Sequence, residues 1–200
     1  MQDKWWDIAV NPIIGCRHGC PYCWAKKMNN RFKWVKKWEE PEWKEKLWKI
    51  RKPSNIWIGN LCDLFGDWIP DWVIECIIAN IKLYPQHNFL FLTKQPSRYA
   101  DFIFPDNCWK GFTDAGQMLY HPNTNLGKNW FVSYEPLFKP VYVLKNIKWI
   151  IVGGLTPKPI HKKEWIDKIV KKCKKNKIPL YIKNNAHYPK VIKQFPKELK

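Results

Sequence analysis

An α/β protein built on a mainly parallel sheet is the fold class this sequence predicts, on two observations. Short β-rich runs alternate with amphipathic stretches along the chain. Three of those runs, IWIG, FLFLT and WIIVGG, are nearly unbroken apolar stretches, as expected of strands covered on both faces. Two hundred residues, 46% of them hydrophobic, suit one globular domain, and nothing in the chain reads as an internal repeat or a dividing linker.

In chain order, the predicted strands are Asp7–Ile14, Ile56–Gly59, Phe89–Thr93, Trp109–Thr113, Trp130–Tyr134, Trp149–Gly153 and Leu180–Lys183. A first helix is expected from Ala25 to about Lys37, with Phe32, Val35 and Trp38 at helical spacing. A second covers Asp71–Leu83, where Trp72, Ile74, Cys76, Ile77, Ile78 and Ile81 are apolar and Pro70 stands just ahead. The third, Lys162–Lys175, sets Trp165, Ile166, Ile169, Val170 and Cys173 against a Lys-rich outer face. Residues 114–129 hold two Gly, a Pro and three Asn, the composition of a loop.

Composition narrows the function classes. The formal charge of +18 is unevenly distributed. Residues 24–53 carry eleven basic and four acidic side chains, and residues 158–200 carry fourteen and three. A charge confined to two segments forms either a polyanion-binding patch or merely solvated helix faces. Seven cysteines, three within eight residues, are poor material for a disulfide framework. The opening MQDKWWDIAV lacks the basic and apolar regions of a signal peptide, and no apolar run reaches the roughly 18 residues of a membrane span. A cytoplasmic protein with reduced thiols and no membrane partner is expected.

The segment GCRHGCPYCWAKK sets Cys16, Cys20 and Cys23 at C-x3-C-x2-C, after an apolar strand and before a helix. Three thiolates in one tight loop can bind three irons of a 4Fe–4S cluster, leaving the fourth iron without a protein ligand. Gly15 and Gly19 let the backbone bend around a large inorganic group, and Pro21 stiffens the turn. A zinc site using His18 as fourth ligand, a closed ferredoxin-type cluster and chance clustering are the competing readings. Cys62, Cys76, Cys108 and Cys173 show no mutual metal spacing and read as buried or half-buried thiols.

C-x3-C-x-aromatic-C, with Tyr22 in the aromatic place, resembles the signature of the radical S-adenosylmethionine (SAM) superfamily. The phrases NPIIGC…CPYCWA, RKPSNIWIGNLCDLFGD, FLFLTKQPSR, FVSYEPLF, WIIVGG and IPLYIK, in that order, look like the phage-associated radical SAM-like family of uncharacterised function. The likeness runs from Asn11 to about Lys183. It departs from the pattern at the shortened stretch 114–129 and at Gly154-Leu155-Thr156, where relatives tend to carry an acidic residue.

This resemblance implies a partial or near-complete parallel (β/α) barrel with its active site at the C-terminal ends of the strands. It implies a 4Fe–4S cluster on Cys16, Cys20 and Cys23, and SAM chelated at the open iron by its amino and carboxylate groups. One electron, from a donor such as ferredoxin or flavodoxin, then cleaves SAM to methionine and a 5′-deoxyadenosyl radical, which abstracts hydrogen from substrate.

Residues at the expected strand ends are the candidates to hold SAM. Tyr22 is placed near the adenine. Asn60 and Asp63 follow the second strand, with Asp63 either accepting from the SAM ammonium or capping the turn before Trp68. Thr93 and Lys94 end the third, Ser133 and Glu135 the fifth, and Gly153 and Gly154 the sixth. Lys183, followed by Asn184 and Asn185, ends the seventh. Lys94 and Glu135 could instead pair with each other, and Gly153–Gly154 could only turn the chain.

For the substrate, Trp34, Trp38, Trp43 and Trp48 interleave with lysines and arginines in RFKWVKKWEEPEWKEKLWKIRK, as in proteins that stack and neutralise single strands. A nucleic-acid base is therefore the expected substrate, with a peptide or small metabolite, or a non-enzymatic zinc-binding nucleic-acid adaptor, as alternatives. The bland reading of those tryptophans is packing on the barrel.

Overall fold

The computed structural model describes residues 3–44, 50–116, 128–144 and 146–200. The chain is α/β, and its contacts gather into two compact units. One comprises Trp6–Trp109; the other joins the N-terminal residues up to Trp5 to Lys110–Lys200.

In the first unit β1 (Ile8–Val10), β4 (Asn55–Ile58) and β5 (Asn88–Thr93) lie parallel, β4 in the middle. The register sets Ile8 beside Ile56 and Ile58 beside Phe91. Ile56, Ile58, Phe89, Leu90 and Phe91 are each at most 1% exposed, which is why their apolar run announced the strands. The expected strand Asp7–Ile14 is divided. Pro12 has no N–H for a ladder, and Ile13–Ile14 forms a separate short strand, β2, pairing antiparallel with β3 (Glu42–Trp43).

The helix α1 spans Trp24–Phe32 and stops well short of Lys37. Lys33 adopts the left-handed region at φ 53°, and its N–H still reaches the Asn29 carbonyl. Asn29, buried, turns its amide onto Val35, donating to its carbonyl at 3.1 Å and accepting from its N–H at 3.0 Å. Val35 and Trp38 are therefore buried from a loop, not from a helix face, and Phe32 is exposed. The helix α2 (Asp71–Ile81) buries Val73, Ile74, Ile77, Ile78 and Ile81 on one face. Trp72 and Cys76 lie off that face and are exposed, so Cys76 is not the buried or half-buried thiol expected.

In the second unit β6 (Cys108–Thr113, of which Lys110–Thr113 belong to this unit), β7 (Trp130–Tyr134), β8 (Trp149–Val152) and β9 (Leu180–Ile182) follow one another in parallel. Every residue of β7, β8 and β9 is buried. Between β8 and β9, α3 (Lys163–Asn176) buries Ile166, Ile169 and Cys173 and turns its lysines outward. Trp5 packs edge-on against Phe131 and Trp149, with centroids 5.6 and 5.9 Å apart. Trp149 in turn meets Phe195. Three of the fourteen tryptophans, Trp5, Trp130 and Trp149, are buried in this unit. Asp3 fastens the N-terminal stretch. It bonds the Tyr181 hydroxyl at 3.1 Å, the Lys193 ammonium and the Asn184 N–H. Among the described residues, no helix is long and apolar enough to cross a membrane.

Candidate metal centre

The three-cysteine loop joins β2 to α1, and its path is dictated by close backbone packing. Gly15 sits at φ 112°, and a Cβ there would come within 2.8 Å of the Trp38 carbonyl oxygen and 2.9 Å of Pro41 Cα. Only glycine fits. The Gly15 N–H donates to the Leu61 carbonyl at 3.1 Å and the Cys16 N–H to the Trp38 carbonyl at 2.8 Å. At the other end Cys23 caps α1, its Sγ accepting from the Lys26 N–H at 3.4 Å. A thiolate there meets the positive end of the helix dipole.

All seven cysteines are free, and Cys16, Cys20 and Cys23 are partly exposed. Cys16 and Cys23 pack on the cluster of Ala25, Val35, Trp38 and Leu61. Burial pushes the Cys16 thiol up to about 11, with the Asp63 carboxylate and Cys23 adding to the rise and the His18 and Asp63 N–H groups opposing it. Metal binding would have to displace its proton. Cys62, 46 positions beyond Cys16 and read from spacing as an ordinary thiol, lies near enough to Cys16 for their charges to interact. Burial, then Asp63, then Cys16 push it well above the usual thiol range. Linear spacing carries no sign of this approach.

Asp63 joins the loop to the strand ends. One carboxylate oxygen meets His18 Nε2 at 2.7 Å and the Lys94 N–H at 2.8 Å; the other accepts from Thr93 Oγ1 at 2.7 Å and the Phe65 N–H at 3.1 Å. The His18 ring also meets Trp68 edge-on at 4.8 Å. His18 is thus held by a carboxylate, a partner the sequence did not suggest. The Phe65 bond is the turn cap foreseen for Asp63. Lys94 extends its ammonium to the Tyr22 hydroxyl at 3.3 Å and lies 5.6 Å from the ring centroid. Cys16, Tyr22, Asp63 and Lys94 are therefore linked through one hydrogen-bonded and electrostatic neighbourhood. On the turn before Asp63, the buried Asn60 Oδ1 has no protein partner.

The candidates of the second unit form their own group. Lys183 pairs with Glu135, and Glu135 lies so close to Gly153 that a Cβ there would fall 2.7 Å from its carboxyl carbon. Lys94 and Glu135 are thus each engaged elsewhere than with one another. Gly154 is clasped by Asn185, whose amide accepts from its N–H at 3.2 Å and donates to its carbonyl at 2.9 Å. A Cβ on Gly154 would meet the Asn185 carbonyl oxygen at 2.4 Å. Both glycines thus make room for protein neighbours, a reason for them that the sequence did not reveal. Ser133 Oγ is buried without a protein partner.

Among the described residues, no three His, Cys, Asp or Glu side chains converge as ligands of one metal ion. Three soft donors of a single loop suit a polynuclear cluster, whose ligands bind separate irons. Of the Trp-rich segment, Trp38 is buried, Trp34 half-buried and Trp43 exposed, while Trp48 lies outside the described residues, as does 117–127 of the expected loop.

Fold and site define an α/β protein of parallel strands with a three-cysteine loop at the N-terminus of a helix. Residues 2–198 match the model of a family described as protein of unknown function (DUF5131), and the chain belongs to that family. No curated protein and no solved structure matches it.

Proposed function

We propose that this chain is a radical SAM enzyme, of the phage-associated kind its sequence resembles, acting on a nucleic-acid base. In this reading its parallel strands belong to the superfamily's partial (β/α) barrel. The observation that carries the proposal is the loop itself. Cys16, Cys20 and Cys23 are unpaired and partly exposed, on a backbone that Gly15 and the Cys16 N–H pin in place. In this reading they would hold a 4Fe–4S cluster, which would supply one-electron reduction of SAM when bound.

The chain's own residues bind and orient. Cys23 presents its Sγ at the start of α1, and Asp63 fixes the loop through His18 while holding Lys94 beside Tyr22. In the first unit Asn60 Oδ1, and separately in the second Ser133 Oγ, is buried without a protein partner, which supports a polar ligand for each, because an unsatisfied buried acceptor or hydroxyl is costly. On the resemblance alone, Glu135, Lys183, Gly153 and Gly154 are further candidates for contact with the cofactor. The two basic segments support a polyanionic substrate. The reading requires reduced thiols and a one-electron donor such as ferredoxin or flavodoxin, and hence a cytoplasmic setting.

An anaerobic assay for 5′-deoxyadenosine tests it. Reconstituted protein with SAM and dithionite should release the nucleoside, faster with added DNA or RNA, and Cys20→Ala should abolish release while leaving the fold intact. Cleavage that survives Cys20→Ala would remove the site assignment. Stimulation by peptides or metabolites alone would remove the nucleic-acid part.

A further inference from the structure

The face that α1 turns to solvent begins beside a candidate cluster ligand. Trp24 follows Cys23 directly and is 51% exposed; Phe32, at the other end, is 52% exposed. At 3.6 residues per turn, Trp24, Lys27, Met28 and Arg31 share one face, while Ala25 and Asn29 are buried on the other. The Arg31 guanidinium carbon lies 5.2 Å from the Phe32 ring centroid, and Phe32 stacks on Trp34 at 5.6 Å with only 17° between the planes. Lys33 and Lys36 follow, both exposed. Exposed rings and cations thus lie together on α1 and the turn after it, over about 12 Å from Trp24 to Phe32.

We propose that this face is the platform on which a single-stranded nucleic acid is held, its bases against the exposed rings and its phosphates on Lys27, Arg31, Lys33 and Lys36. A single strand needs exposed aromatic surface with cations beside it; the exposed Trp24 and Phe32, with Lys27, Arg31, Lys33 and Lys36, supply both on one helix and the turn after it. A membrane surface would want the apolar groups segregated from the charged ones, and here they are mixed. A duplex hides its base faces, so an unpaired strand fits better. The inference rests on the nucleic-acid part of the proposal above and is independent of the cluster chemistry.

Fluorescence anisotropy with a labelled 15-nucleotide deoxythymidine strand, on the unreconstituted chain without SAM, tests it. Phe32→Leu keeps an apolar side chain without a ring, and should weaken binding about tenfold. Arg31→Lys keeps the charge without the planar group and should weaken it several-fold. Trp72→Ala, which removes a still more exposed ring on α2, should leave affinity unchanged. Affinity should fall steeply with salt. Binding by wild type with Phe32→Leu and Arg31→Lys unaffected would overturn this platform alone. No binding by wild type would overturn it together with the nucleic-acid reading. Capture on phosphatidylserine vesicles without strand binding would assign the face to lipid instead.

Discussion

Asp63 accepts four hydrogen bonds, from positions 18, 65, 93 and 94, and no single stretch of sequence contains that set. Its acidic type and its place after a strand were legible; its role as the knot between the cysteine loop and two strand ends was not. Replacing it by Asn puts an NH2 where one oxygen stood, so either amide orientation leaves donors facing a donor. Asp63→Asn should therefore cost about 1–3 kcal/mol in denaturant unfolding, and an unchanged midpoint would contradict the bonding described. The cysteine triplet was legible for the opposite reason: its geometry is local, set by spacing and two glycines. Cys62 was not, since its approach to Cys16 is made by the fold.

At the scale of elements, legibility followed burial. The strands whose residues are covered on both faces, β8 above all, lie where continuous apolar runs placed them. The short pair β2–β3 carries too few residues for a periodic signal, and Pro12 was the only hint of a break. The helix α1 misled because Val35 and Trp38 continue its apolar spacing into a loop. What ends the helix is Lys33 in the left-handed region, with Asn29 turned onto Val35. Asn29→Ala removes both partners of that backbone and should destabilise the protein by about 1–3 kcal/mol in thermal or urea unfolding. A neutral substitution would mean that the loop is held some other way.

Across the whole chain, positions far apart in sequence are tied by charge. Asp3 meets Tyr181, Asn184 and Lys193, nearly the full length of the protein away. Burial alone would raise its carboxyl, but the Lys193 ammonium, the Asn184 N–H and the Tyr181 hydroxyl outweigh burial and hold it below its usual range. A depressed folded value contributes stability above the unfolded pKa, which is lost as pH falls through the folded one. Acid unfolding of wild type should therefore include a contribution below about pH 4 that Asp3→Asn lacks. Identical acid limbs for the two proteins would contradict it. The tie was invisible in the sequence, where Asp3 precedes the first recognisable strand.

The charge itself, gathered in 24–53 and 158–200, was fully legible. The cluster is the claim on which the proposed radical chemistry depends. Its most direct measurement is the iron and sulfide content of anaerobically reconstituted protein. The account predicts about four of each per chain in wild type, and loss of both in Cys20→Ala. A colourless protein holding a single zinc ion would contradict it.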